Sequence, residues 1–167
     1  VGNEASTGGS GVYVYRSSPR SLHGTIAGDG SGSGVYVVGS GSAAWLTNTI
    51  VSGHGVGVYA ASSDVAVTLN GVLWYDNAAD TGGADVITVT HAYTGTPAFA
   101  SDGYHLSGVS AAIDRGVDAG VATDVDGDPR PLGAAPDLGA DEAVPCVGVT
   151  DVSLSCLLYT SDAADEL

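Results

Sequence analysis

The chain has 167 residues, which bounds it to about one domain, and its 26 glycines accompany a single Phe and no Met. Nineteen acids against Arg16, Arg20, Arg115 and Arg130 give a formal net charge of −15. That balance excludes nucleic-acid binding by phosphate neutralisation and settling on an anionic membrane surface. No apolar run of about 18 residues occurs, so membrane insertion is not expected either. The chain opens at Val1 inside a Gly-rich turn with no leader pattern, and reads as a fragment lacking its upstream part.

Residues 1–10 are turn-like, and a repeat begins after them. Gly11-Val-Tyr-Val-Tyr15, Gly34-Val-Tyr-Val-Val38 and Gly57-Val-Tyr-Ala-Ala61 recur every 23 residues. A second series runs in step: Leu22-His-Gly-Thr-Ile26, Leu46-Thr-Asn-Thr-Ile50 and Leu69-Asn-Gly-Val-Leu73. Two segments repeating together, built of short β-type runs between Gly, Ser and Asn turns, predict a solenoid. The coils are expected over about residues 11–33, 34–56 and 57–80, each with three short strands and too short to hold a helix. Equivalent strands then lie parallel, about 4.8 Å apart. Val12, Val35 and Val58 are expected to stack inside, as are Leu22, Leu46 and Leu69, and Ile26, Ile50 and Leu73. Alternation predicts Leu46, Asn48 and Ile50 on one face and Thr47, Thr49 and Val51 on the other. A buried Asn48 would need main-chain partners at a bend.

Asp85-Val-Ile-Thr-Val-Thr90 is a further strand that breaks the 23-residue register. The coils thus extend over 1–95, and the composition changes beyond them. Residues 96–142 are turn-rich, with eight acids between Asp114 and Glu142, and are placed to cap the last hydrophobic layer through Ala98, Phe99, Tyr104, Leu106 and Ile113. Residues 143–155 read as a linker or the start of another module. Residues 156–167 resemble a translated sequencing-library adapter and are set aside as a non-native tail. Without Asp162, Asp165 and Glu166 the charge is −12, and Cys146 is left as the one native cysteine, so no disulfide is implied.

Four stretches carry a resemblance: Asp102-Gly-Tyr-His-Leu106, Ser110-Ala-Ala-Ile-Asp114, Asp124-Val-Asp-Gly-Asp-Pro-Arg-Pro131 and Pro136-Asp-Leu-Gly-Ala-Asp-Glu142. With the coils, they make residues 1–142 resemble secreted right-handed parallel β-helix proteins of the pectate-lyase-like superfamily, of the bacterial surface type with a C-terminal cap motif. The resemblance implies an all-β, right-handed parallel β-helix with a turn-rich C-terminal cap. It also implies a secreted or cell-surface location. It does not imply one chemistry, because that family is united by fold.

Three groups of residues are candidate sites. Asp124, Asp126 and Asp128 are spaced like the start of a calcium loop, where alternate carboxylates converge on a hard cation. Gly127 falls one position early for the EF-type pattern, and the alternative is a rigid acidic turn bonded by Arg130. Tyr13, Tyr36 and Tyr59 should point outward as a ladder, either binding sugar rings or stabilising the sheet by stacking. Asp29 and Asp76 fall at matching turns of coils one and three, about 9.6 Å apart, within reach of an inverting glycosidase's carboxylate separation. Ordinary turn chemistry explains both, coil two carries no charge, and no residue is assigned as catalytic. His23, His91 and His105 show no metal-ligand spacing.

The expected function is that of a non-catalytic surface or extracellular scaffold or adhesin, binding a polysaccharide or cell-surface glycan, with calcium the one cofactor suggested. The alternative is a polysaccharide lyase or glycoside hydrolase whose catalytic coils lie upstream.

Overall fold

The structure, a computed structural model, describes residues 9–143. Residues 144–167, with Cys146, most of the expected linker and the adapter-like tail, lie outside the described residues. Every regular element is a strand: β1 Gly9–Tyr15, β2 Arg20–Leu22, β3 Thr25–Ala27, β4 Ser33–Val38, β5 Ala43–Ser52, β6 Val56–Ala60, β7 Ala66–Tyr75, β8 Ala79–Gly83 and β9 Ile87–Thr94. All pair in parallel. One sheet runs β1-β4-β6-β8; the other runs β2-β5-β7-β9, with β3 also on β5. The chain is a parallel β-solenoid of four rungs, one more than the three-fold sequence repeat displays.

The repeat is realised residue for residue in the first sheet. Tyr13 pairs with Tyr36 and Tyr36 with Tyr59; Val14, Val37 and Ala60 are aligned beside them. The leading glycine of each repeat has a steric cause. A Cβ on Gly11, Gly34 or Gly57 would lie 2.5, 2.7 or 2.6 Å from the carbonyl oxygen of the next rung. In the second sheet the spacing varies. Leu46 lies level with Leu69, 23 residues on, but Arg20 pairs with Trp45 and Val67 with Ile87. The Asp85–Thr90 stretch therefore breaks the period in sequence while its strand keeps its place in the stack.

Two expected core columns are corrected by that register. Leu22 pairs with Thr47, and Ser21 is the residue level with Leu46. Leu22 accordingly points out and is 47% exposed. The second correction concerns the bend in the long strands. His23, Asn48, Gly71 and His91 occupy one corner of successive rungs, and all four have positive φ, at 51, 54, 74 and 53°. A single left-handed residue reverses which face the following side chains take, so period-two alternation fails across it. Ala44, Leu46 and Val51 face the interior with Val67, Leu69 and Val72, whereas Ile50 and Leu73 face outward. Ile26 pairs with Val51 and joins the interior. Val12 is level with the buried Val35 and Val58 but is 40% exposed, because among the described residues no rung covers its other side.

The C-terminal segment is turn-rich as expected, and the apolar surface it seals is the flank of the solenoid. Ile50 and Leu73 form a second core with Leu106, Ala112, Leu138 and Ala143, with Phe99 and Ile113 packed around it. The segment reaches from Tyr93 in rung four back to Thr25 in rung one, whose hydroxyl accepts the Ala140 amide at 3.0 Å. It is thus an arm laid along the rungs. Asn48 is its clamp: fully buried, its Nδ2 donates to the Val117 carbonyl at 2.7 Å and its Oδ1 accepts the Val117 amide at 2.8 Å.

Candidate functional site

The outer face of the first sheet carries the tyrosine ladder. β-Strand alternation turns Val12 and Val14 one way and Tyr13 and Tyr15 the other. Tyr13 and Tyr36 stack with ring centroids 5.6 Å apart and planes 2° from parallel; Tyr36 and Tyr59 stack at 5.2 Å and 9°. Such offset stacks contribute about 0.5–1.5 kcal/mol each beyond area burial. Because the rings face one another along the solenoid axis, the surface shows their edges, one per rung. No phenol hydroxyl of the three has a hydrogen-bond partner among the described residues. The column ends on Gly82, where a Cβ would press on the Tyr59 ring at 3.2 Å.

Residues not singled out from the sequence extend this surface. Tyr15 is 53% exposed, and the Arg16 guanidinium lies 5.2 Å from its ring centroid. On the next face, Arg20 lies 5.8 Å from the ring of Trp45, its pairing partner. Neither arginine has a carboxylate partner among the described residues. The alternation that exposes Tyr13 also exposes Tyr15, so that signal was present in the sequence. Between residues 9 and 60 the charged side chains are Arg16, Arg20 and Asp29, whereas residues 61–143 hold thirteen acids. The aromatic surface therefore carries few charges, two of them arginines, on a strongly acidic chain.

Asp124, Asp126 and Asp128 are not brought to one point. Asp124 Oδ1 accepts the amides of Asp126 and Asp128, and its Oδ2 accepts that of Glu142. These bonds overcome the effect of burial and hold its pKa below the ordinary value. Asp126 turns instead to His105 Nε2 at 2.8 Å. His105, Asp126 and Asp141 present ligand atoms that all lie within 4.8 Å of one another. Asp102 bonds the other ring nitrogen, as carboxylates commonly do behind a metal-bound histidine. Metal-free, the same arrangement is an ion-pair pin. Partial burial opposes the imidazolium, but the carboxylates of Asp102 and Asp126 outweigh it and raise the pKa to about 9. The pin ties the 102–106 turn to the 124–128 loop. No sequence spacing announces it, because its members come from three separate loops.

Asp29 and Asp76 do not occupy matching positions. The pairing of Ala27 with Ser52 and Ser52 with Tyr75 sets Asp76 level with Gly53 and Gly28, one place before Asp29. Asp29 accepts the Ser31 hydroxyl and amide within its own turn. Arg130, expected to bond the aspartate loop, is buried in the arm and pairs with Glu142 at 2.7 Å. No protein-family model, curated protein or solved structure matches this chain.

Proposed function

We propose that the chain is a non-catalytic extracellular scaffold or adhesin-type module whose tyrosine face engages a polysaccharide or cell-surface glycan. The observation that carries this reading is the stacked Tyr13–Tyr36–Tyr59 column. On three successive rungs it offers one aromatic edge and one phenol hydroxyl without a partner among the described residues, a step close to the length of one sugar residue in an extended glycan. The ring edges offer apolar contact, and the phenol hydroxyls offer hydrogen bonds to sugar hydroxyls. The sparse charge of this surface suits a glycan. A secreted or surface location, and membership of the pectate-lyase-like superfamily in its bacterial surface form, belong to the same proposal. They rest on the solenoid and on the motifs at 102–106, 110–114, 124–131 and 136–142.

The test is depletion of the protein by insoluble polysaccharides and binding to a panel of surface glycans. The wild type is expected to bind at least one glycan, and the Tyr13→Ala/Tyr36→Ala/Tyr59→Ala variant to lose at least tenfold in affinity. Equal binding by the variant would remove the tyrosine face from the reading. New reducing ends or unsaturated products released from a polysaccharide would replace it with the lyase or hydrolase alternative.

A further inference from the structure

The contact between solenoid and arm centres on one buried histidine with a single permitted protonation state. His23 is 7% exposed. Its Nδ1 lies 3.1 Å from the carbonyl oxygen of Asp137 in the arm. A carbonyl can only accept, so Nδ1 carries the hydrogen. Its Nε2 lies 3.0 Å from Asn48 Nδ2. The orientation of that amide is not free: Asn48 Oδ1 accepts the Val117 amide and Nδ2 donates to the Val117 carbonyl. Asn48 Nδ2 is therefore a donor, and His23 Nε2 must receive it through its lone pair. A proton on Nε2 would set two donors against each other in a site closed to water.

The charged groups around the ring oppose that proton or compensate one another. Arg130 Nη1 also donates to the Asp137 carbonyl, at 3.2 Å, bringing a positive charge next to the ring. Glu142 bonds that same nitrogen and neutralises it. The Asp137 carboxylate is turned away, onto the amides of Asp114 and Ala143. Asp114 itself is turned to the Ala135 amide.

We propose that His23 is an acid-sensitive catch. Protonation of Nε2 breaks the Asn48 bond, loosens the Val117 and Asp137 contacts, and frees the arm from the rungs. The surface uncovered is the outward stripe of Ile50 and Leu73, both fully buried under the closed arm. Burial, followed by the charge of Arg130, lowers the His23 pKa from 6.5 to about 4, in keeping with a closed arm that refuses the proton. The catch thus holds fully above pH 6.5 and weakens as pH falls towards 4. Asp137 acts oppositely. Burial raises its pKa to about 6, so its protonation favours the closed arm as pH falls from 6 towards 3.8. A variant comparison is needed to isolate the histidine.

The experiment has two parts. Nitrogen NMR of the His23 ring in the wild-type chain reads tautomer and titration directly. The expected result is the Nδ1–H tautomer at neutral pH and protonation well below pH 6.5. Amide exchange then follows Val117 and Gly139 as arm reporters, with Val58 as the rung reporter, in wild type and His23→Gln. Between about pH 7.5 and pH 5, the arm protection of the wild type is expected to fall about thirty-fold more than that of the variant, with Val58 unchanged in both. An Nε2–H tautomer, titration near 6.5 with the arm still protected, or equal losses in the two chains would overturn the proposal. The ring measurement stands even if His23→Gln fails to fold.

Discussion

The rungs and the arm solve the same problem by different means. Each must satisfy a buried backbone, since an unpaired amide or carbonyl away from water costs free energy. The rungs do it with parallel ladders, each strand bonded to its copy about one repeat away, over an interior of Val, Leu and Ile. Among the described residues the arm has no strand or helix, and carboxylates stand in for backbone carbonyls at many of its amides. Asp102 accepts the amides of Tyr104 and His105, and Asp124 those of Asp126, Asp128 and Glu142. Asp137 accepts those of Asp114 and Ala143, Asp141 that of Leu106, and Glu142 those of Leu132 and Asp137. The acids that dominate the composition of this segment are its internal scaffolding. A repeat can be stabilised by self-similarity; a segment used once needs specific side chains for each turn.

The contrast is tested most severely at Glu142. It is almost fully buried and pairs with Arg130, whose Nε has no hydrogen-bond partner among the described residues. Glu142→Ala leaves a buried guanidinium uncompensated and is expected to cost about 3–5 kcal/mol. Urea unfolding reads this; a midpoint equal to wild type would show that the arm is a passenger on the rungs. Leu69→Ala probes the other region. Leu69 is fully buried in the interior, and its truncation is expected to cost about 2–5 kcal/mol. Unlike arm substitutions, it should leave the pH dependence of unfolding unchanged, and a changed profile would blur the distinction drawn here.

A smaller effect is expected at alkaline pH. The His105 pKa is raised from 6.5 to about 9, so its ion pairs contribute fully below pH 6.5 and are lost as pH rises through 9. Melting temperature should therefore decline over that window in the wild type, and the decline should be reduced in His105→Gln and by high salt. An identical decline in the variant would assign it to other groups. The smallest expected effect is none: removing residues 156–167 should leave the melt unchanged, and a large loss would show that the tail belongs to the fold.

The rungs were legible because repetition writes geometry into sequence. Gly34-Val-Tyr-Val-Val38 and its copies predicted the parallel stack and the outward tyrosines, but not the close approach to the next rung that requires the glycine. The need of Asn48 for main-chain partners at a bend was legible too, but not that those partners lie 69 residues away. The faces of Ile50 and Leu73 were misread because alternation was carried through Asn48 and Gly71, where one left-handed residue reverses it.

The sequence by itself determined the solenoid, since period, strand chemistry and turn residues are local properties that each rung restates. Tertiary structure alone decided where the C-terminal segment lies and what its acids do. That segment has no period and no strand, so its place follows from single contacts: Asn48 with Val117, Thr25 with Ala140, His23 with Asp137. Those contacts join residues far apart in the chain, and local spacing carries no record of them.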